Sequence, residues 1–300
     1  MKISRRAFLS IPLVIAAAGS ETSAQDLESR IRPPSPEYEH IHYNKARWLE
    51  FADGLSFVRF DLWRGKEKVD HVAVVKMNPA RNRVKVLTSY RGPGNYRLLT
   101  VPQWQEQTGA PVVFNSAQYE ANPYGQPCGL IMAEGRLVGP RADKRVRGML
   151  VSDPLKKGLP LADLLDFQYD AFDHASPRYA EGVQHWPILL DRTGKVRVKA
   201  TDWQANRTVV AKDRQGDILV FVTEGGFFTL YNFGRFLRES EFGIVTAMNL
   251  DGGYEAQLAI DTKRLRYKSY GQFETYGVER NASIKDARIG IPTALAFVPR

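Results

Sequence analysis

The stretch Ile244-Val245-Thr246-Ala247-Met248-Asn249-Leu250-Asp251-Gly252-Gly253 is the most informative part of the chain. Residues 244–248 form an apolar run of strand length, which predicts a buried strand. The two glycines after the acid allow a positive φ and leave space for a ligand beside the backbone. The stretch therefore predicts a strand that presents Asp251 to a site. A tight hairpin turn is the alternative, because Asp-Gly is also a strong turn signal.

Apolar runs separated by turn residues continue on both sides of this stretch. The predicted strands are 55–62, 71–77, 84–90, 111–114, 130–133, 136–138, 148–152, 183–191, 196–199, 207–212, 217–223, 254–260 and 293–298. Helical spacing is found at 101–108, before Gly109, and at 228–242, before Gly243. The pattern predicts an α+β fold with a strand-rich mixed sheet core, few helices and a single domain over residues 48–300.

Residues 1–24 have the pattern of an export signal. Arg5-Arg6 precede a short apolar stretch, and small residues up to Ala24 fit a cleavage site. The paired arginines resemble the bacterial twin-arginine signal, which implies the twin-arginine translocase as a partner. The apolar stretch is shorter than the roughly 18 residues that a membrane anchor needs. We expect a periplasmic or secreted protein without a stable membrane anchor.

Residues 25–47 contain Pro33, Pro34 and Pro36 among charged side chains, without an apolar period. This composition predicts a flexible, proline-rich arm on the surface.

The formal net charge of +9 favours anionic partners. Residues 1–24 contribute +2 of it, which leaves +7 on the mature chain. No basic run with interleaved aromatic residues is present, so a nucleic-acid partner is not expected. Cys128 is the only cysteine, which excludes an internal disulfide. Packing is the favoured interpretation of Cys128.

The five histidines lie at positions 40, 42, 71, 174 and 185, without metal-ligand spacing. No metal site is therefore predicted, and the sequence requires no cofactor. A divalent cation with oxygen ligands near Asp251 stays an open alternative without support from any loop pattern.

Four clusters stand in order at predicted strand ends: 115–120, 125–129, 206–208 and 249–253. Together they resemble the phosphodiester glycosidase family over about residues 70–298. The family pattern is an Asn-Gly-Gly-Phe-Phe-Asp-like stretch, Gly-x-Pro-x-Gly, an Arg-Thr pair and Leu-Asp-Gly-Gly-Gly-Ser. The order of these motifs is more specific than any one of them.

The resemblance implies positions for the site residues. Those that match the family motifs are Asn115, Gly129, Arg207, Thr208, Asp251, Gly252 and Gly253, and Glu120 falls where the family often has Asp. Two departures stand out. Ser116-Ala117 replace paired glycines, and Tyr254-Glu255 replace Gly-Ser. These changes would narrow the pocket and add a carboxylate.

Glycosidic cleavage commonly uses two carboxylates, one of which protonates the leaving group. Asp251 is the first candidate, and Glu224, before Gly225-Gly226, is the second. Glu120 and Glu255 follow, with the roles of acid, base and nucleophile left open.

The predicted substrate-binding residues are Asn115, Arg207, Thr208, Gly252, Gly253, Gly129 and Tyr119. The Arg207 guanidinium could bind phosphate or carboxylate oxygens as a fork, or it could be an ordinary surface arginine. Tyr119 could stack on a sugar ring.

The sequence thus predicts an exported hydrolase of glycosidic or sugar-1-phosphodiester bonds, acting on envelope or extracellular glycans. A non-catalytic binder of anionic polysaccharide is the alternative, favoured by the two departures. A shared function requires Asn115, Arg207 and Asp251 to converge on one cleft.

Overall fold

The computed structural model describes residues 41–44, 47–116, 118–121, 124–139, 147–173, 176–276, 279–283 and 288–300. The predicted export signal, most of the predicted arm, His40, Ala117 and His174 lie outside these ranges. The expectations about them stay predictions.

The described residues form 22 strands and two α-helices. The strands are β1 Ile41–Tyr43, β2 Leu49–Ala52, β3 Leu55–Arg64, β4 Glu67–Met77, β5 Asn82–Thr88, β6 Val112–Asn115, β7 Tyr119–Ala121, β8 Tyr124–Pro127, β9 Ile131–Ala133, β10 Arg136–Leu137, β11 Gly148–Pro154, β12 Ala162–Asp166, β13 Tyr179–His185, β14 Ile188–Leu190, β15 Thr208–Asp213, β16 Ile218–Thr223, β17 Ile244–Asn249, β18 Gln257–Asp261, β19 Arg266–Tyr270, β20 Phe273–Tyr276, β21 Glu279–Ser283 and β22 Thr293–Pro299. The helices are α1 Val101–Thr108 and α2 Leu230–Glu239, and Gly253–Glu255 form a 3-10 turn.

The strands build three main sheets. Sheet I has the order β1-β3-β4-β16-β15-β17-β14, with β2 also paired to β3. Sheet II is β19-β18-β6-β22-β5, and sheet III is β10-β9-β13-β11-β12. The α+β class, the strand-rich core and the small number of helices are confirmed. The pairings between described strands are all antiparallel, where the sequence suggested a mixed sheet. Several hairpins, such as β3–β4, β15–β16 and β18–β19, account for this arrangement.

One apolar core lies between the three sheets. Val220 of sheet I, Phe114 of sheet II and Leu150 of sheet III belong to the same buried cluster. Because side chains alternate along a strand, the next residue of β16, Phe221, belongs to a second cluster on the other face of sheet I. Sheet I is therefore buried on both faces, which explains why β16 is apolar almost throughout.

The two helices cover outer sheet faces. Trp104 of α1 packs with Val113 of sheet II, and Phe233 of α2 packs with Phe221 of sheet I. Helix α1 has the predicted bounds, because a capping box starts it and Gly109, with φ 65°, ends it. Helix α2 is shorter than the predicted 228–242, because Thr229 caps its start and the backbone is extended again at Ser240.

Three predicted strands differ in the structure. The predicted strand 183–191 is divided between sheets III and I at Pro187, which cannot donate a ladder hydrogen bond. Residues 196–199 form only an isolated bridge, from Val196 to Leu190. The strand predicted at 254–260 begins at Gln257, because the 3-10 turn precedes it.

The end of the predicted arm joins the fold. Ile41–Tyr43 pair with β3 at the edge of sheet I, and the Tyr43 ring lies 5.0 Å from that of Phe60. None of the helices in the described ranges has the length and hydropathy needed to cross a membrane.

Candidate active site at the junction of sheets I and II

Asn115, the last residue of β6 in sheet II, connects the ends of strands from sheets I and II. Its Nδ2 donates to the Asp251 carbonyl (2.8 Å), and its Oδ1 accepts from Thr208 Oγ1 (2.7 Å) and the Gln257 amide (3.1 Å). Both Asn115 and Thr208 are fully buried. These contacts fix the backbone that carries Asp251, while direct substrate binding by Asn115 and Thr208 stays a prediction.

The glycine turn carries the chain from one sheet to the other. The Asp251 amide donates to the Ser116 carbonyl (3.0 Å), and the Gly253 amide donates to the Asn206 carbonyl (2.8 Å). After the 3-10 turn the chain enters β18 of sheet II and does not return beside β17. The hairpin interpretation of Asp-Gly-Gly is therefore wrong.

Protein groups approach both glycines closely. A Cβ at Gly252 would lie 2.9 Å from the Asn206 carbonyl oxygen and 3.7 Å from Arg207 Nη1. Gly253 has φ 62°, and a Cβ there would lie 2.5 Å from Glu274 Oε2. The absence of side chains thus lets Arg207 and Glu274 pack against the turn. Ligand contacts at the two glycines stay predictions.

Asp251, Glu255 and Glu274 form the carboxylate cluster of this site. The 3-10 turn, closed by the Glu255 amide donating to the Gly252 carbonyl (3.3 Å), brings Glu255 back towards Asp251. Asp251 and Glu255 retain partial contact with solvent although protein atoms surround them. They can therefore be reached from outside while being poorly solvated.

This environment favours protonated carboxyls. Burial raises the pKa of Asp251 well above its usual range, and the charges of Glu255 and Glu274 raise it further. Burial also raises the pKa of Glu255 to about 7, although the Tyr124 hydroxyl donates to its Oε1 (3.0 Å) and opposes the shift. The Asp251–Glu255 pair therefore retains protons near neutral pH. Such a pair can supply a proton and accept one.

Arg207 is buried beside the cluster, so its interpretation as a surface arginine is wrong. Its Nε donates to the Phe228 carbonyl (3.2 Å) and its Nη2 to the Trp203 carbonyl (2.7 Å). Burial lowers its pKa to about 10, while the charge of Glu274 opposes this, so it stays protonated at neutral pH. Two donors of the guanidinium are thus engaged by backbone carbonyls, and phosphate binding by Arg207 stays a prediction.

Glu224, the second predicted carboxylate, lies in a different environment. It accepts from Arg59 Nε and Nη2 (2.6 and 2.8 Å) and from the Tyr267 hydroxyl (2.5 Å). Burial opposes ionisation, but Arg59 and Tyr267 lower the pKa overall. Glu224 lines a cavity of about 350 Å³ together with His71 and Lys268, and Asp251 is not part of that lining.

Glu120 and Gly129 also lie apart from the contacts described above. Glu120 is exposed on β7, and the carboxylates whose charges act on Asp251 are Glu255 and Glu274. Gly129 is buried, and a Cβ there would lie 2.9 Å from Cβ of Gln184. Packing therefore accounts for the glycine, and the functional roles predicted for both residues stay predictions.

Tyr119 borders the carboxylate cluster. Its hydroxyl donates to the Thr293 carbonyl (2.7 Å), and its ring lies 6.5 Å from that of Tyr124. Burial raises its pKa, and the charges of Asp251 and Glu255 add to the shift. Tyr119 is thus close enough to interact electrostatically with both carboxylates.

Glu274 is the site residue that the sequence did not reveal. Asn206 Oδ1 accepts from the amides of Gln272 and Phe273 (2.8 Å each), which holds the start of β20 beside Arg207. Nothing around Glu274 distinguishes it from a surface acid in a polar segment. The signal that could have located it is Asn206, which stands in the 206–208 cluster.

The carboxylate cluster does not have the arrangement of a metal site. Across the described ranges, no group of three or more His, Cys, Asp or Glu side chains is placed to hold a metal ion.

Comparisons with known proteins bear on the family and the fold of the chain. A sequence profile described as phosphodiester glycosidase matches residues 108–298, more than half of the chain. Among solved structures, the fold is similar to the zebrafish N-acetylglucosamine-1-phosphodiester alpha-N-acetylglucosaminidase catalytic domain auto-inhibited by its pro-peptide. The TM-score is 0.60 at 17% identity, over 87% of this chain and 89% of that one. A hypothetical protein from Synechocystis gives a TM-score of 0.58 at 13% identity, over 86% of this chain and 64% of that one. No curated protein sequence matches significantly.

Proposed function

Because the chain belongs to the phosphodiester glycosidase family, as the order of its motifs predicted, we propose that it hydrolyses glycosidic or sugar-1-phosphodiester bonds. The observation that carries the proposal is the position of Asp251. Asn115 and Ser116 at the end of β6 fix its backbone, and Glu255 lies beside it in the same turn. This is a partly solvent-accessible pair of carboxyl groups at a junction of sheets, where a sugar ring could bind.

The chemistry follows from the two protonation states of such a pair. A glycosidase needs a proton for the departing oxygen and a carboxylate at the anomeric carbon. A partly protonated pair supplies both, and positioned acid–base groups typically contribute about 10²–10⁴-fold in rate.

The proposed setting is the cell envelope or the extracellular space. The twin-arginine pattern of residues 1–24 supports export, and the charge of +7 on the remainder favours approach to an anionic glycan. The zebrafish relative is described as acting on an N-acetylglucosamine-1-phosphodiester, which places that compound class among the substrates to be tested.

The test is turnover by the purified protein from Gln25 onward. The panel combines sugar-1-phosphodiesters with uncharged aryl glycosides, in both anomeric forms, and the released sugar is quantified. We expect release from at least one class. Binding of anionic polysaccharide without release from any substrate would instead support the non-catalytic alternative.

A further inference from the structure

Glu255 stands where the family pattern has serine, so it adds to this site a carboxyl that the family pattern lacks. We propose that Glu255 is a second catalytic carboxyl, which acts with Asp251 on uncharged O-glycosides whose leaving group is a sugar hydroxyl and not a phosphate. This inference rests on the proposed hydrolase function and specifies its substrate class.

The first argument is position. Asp251 immediately precedes Gly252, the cap of the 3-10 turn, and Glu255 is the last residue of that turn. The charge of Glu255 acts directly on Asp251. Tyr124, which is partly exposed, donates to Glu255 Oε1 and so orients the carboxyl from one side. The side chain is therefore held in place at the accessible edge of the carboxylate cluster.

The second argument is charge. The groups that interact electrostatically with Glu255 are Asp251, Glu274, Tyr119, Tyr124 and Tyr254. Arg207 acts on Glu274, and two of its donors are held by the Phe228 and Trp203 carbonyls. Each of these three carboxyls that is ionised would repel a phosphodiester anion. Two of the five donors of Arg207, which among the described residues is the cation beside the cluster, are already engaged. An uncharged glycoside meets no such repulsion.

The third argument is the chemistry of the leaving group. Phosphate departs readily as an anion, so cleavage of a phosphodiester does not require a second carboxyl to protonate the leaving group. A sugar alkoxide is a poor leaving group and needs a proton as its bond to carbon breaks. A second carboxyl beside Asp251 allows the pair to hold that proton at neutral pH.

The step balances within the pair and one water molecule. The C1–O bond breaks as a carboxyl proton moves to the glycosidic oxygen, which leaves as an alcohol. Water supplies the oxygen that bonds to C1. One proton of the water stays on the new C1 hydroxyl, and the other returns to the carboxyl pair. No further reactant is needed.

The test compares Glu255→Gln with the wild type on aryl glycosides of one sugar and different leaving groups. Loss of the shared proton should lower kcat/KM for the phenyl glycoside by at least about 100-fold. The 2,4-dinitrophenyl glycoside, whose leaving group needs no proton, should lose less than about tenfold. The decrease in wild-type activity above about pH 7 should also disappear in the variant. Glu106→Gln, an exposed change on α1, is the matched control.

Glu255→Ser introduces the residue of the family pattern and tests whether the substrate preference shifts towards phosphodiesters. Its ratio of sugar-1-phosphodiester to aryl glycoside hydrolysis should rise at least about tenfold. Equal losses of kcat/KM on both aryl glycosides in Glu255→Gln would overturn the inference. So would a wild-type enzyme that prefers phosphodiesters and keeps its activity in Glu255→Gln. Either result would leave the proposed function standing. A wild type inactive on the whole panel would overturn both.

Discussion

At the residue scale, Asp70 shows how the fold accommodates a buried charge. Its Oδ1 accepts from the amides of His71 and Gly225 (2.6 Å each), and its Oδ2 accepts from the amide of Phe227 (3.2 Å). These bonds hold the segment after β16 against β4. Burial nevertheless raises the pKa of Asp70 to about 7, because the three hydrogen bonds do not compensate for lost hydration.

This shift gives Asp70 a pH-dependent effect on stability. A raised folded-state pKa means that the contribution of Asp70 to stability is complete below the unfolded-state pKa of about 3.9 and is lost as the pH rises through about 7. In Asp70→Asn, the amide oxygen can still accept from His71 and Gly225. We expect the fall in Tm between about pH 6 and pH 8.5 to be smaller in this variant than in the wild type. Thermal unfolding at both pH values measures it, with the exposed Asp53→Asn as control. An unchanged fall would show that Asp70 is ionised throughout.

Arg207 supports a different prediction at the same scale. In Arg207→Lys, one ammonium cannot replace two donors that point at separate backbone carbonyls, those of Trp203 and Phe228. A hydrogen bond to a charged group contributes about 1.5–3 kcal/mol, so we expect a loss of that size in urea unfolding. Arg266→Lys, on an exposed ion pair with Asp261, should change stability by less than about 1 kcal/mol. Equal stability of Arg207→Lys and the wild type would show that these bonds contribute nothing.

At the element scale, the turn between β17 and β18 positions the site. Gly253→Ala should strain a backbone with φ 62° and also drive Cβ into the Glu274 carboxylate. Gly65→Ala is the matched control, because Gly65 has φ 59° and no atom within 4 Å of an added Cβ. We expect the control to lose about 1–2 kcal/mol from backbone strain alone. Gly253→Ala should lose more and should also lose hydrolytic activity. Urea unfolding and turnover are measured on both variants. Equal losses of stability and activity in Gly253→Ala and Gly65→Ala would contradict this account.

The elements that the sequence predicted well are those whose signals are local. Helix α1 has its capping box and Gly109 within ten residues, and the hairpin β15–β16 has its turn residues between its strands. The division at Pro187 is different, since it depends on β13 and β14 pairing in separate sheets. The pattern of an apolar run cannot show which sheet each half joins.

In the site, too, residues with a local sequence signal could be predicted and residues placed by tertiary contacts could not. Asp251 could be located from the apolar run that ends before it, because a strand end followed by glycines is a local pattern. Glu274 could not, since its position depends on Asn206 binding a segment 66 residues further along the chain. The hydrogen bond from Arg207 to the Phe228 carbonyl, 21 residues further along the chain, is likewise a tertiary property.

At the scale of the whole molecule, a positive net charge surrounds a site that is rich in carboxyl groups. The chain from Gln25 onward carries +7, while the carboxylate cluster contributes three acidic groups. The surface charge would favour approach to an anionic envelope polymer, and the cluster would favour an uncharged bond within it. Both properties are compatible with one glycan that has charged and neutral units.

Export belongs to this scale as well. If the twin-arginine translocase recognises Arg5 and Arg6, replacing both with Lys should leave uncleaved precursor in the cytoplasm. Cell fractionation and the size of the protein on a gel measure this, with Lys2→Arg as a charge-neutral control. Normal amounts of mature periplasmic protein from the double variant would exclude this route.

The central claim is that Asp251 takes part in bond cleavage, and Asp251→Asn tests it most directly. The amide keeps the shape of the side chain and removes its charge and basicity. On the best substrate of the panel, turnover should fall at least about 100-fold, while the affinity for the substrate, measured by calorimetry, should change much less. The variant must unfold at a temperature near that of the wild type for the comparison to hold. Wild-type turnover by Asp251→Asn would show that Asp251 is only a turn residue and would contradict the account.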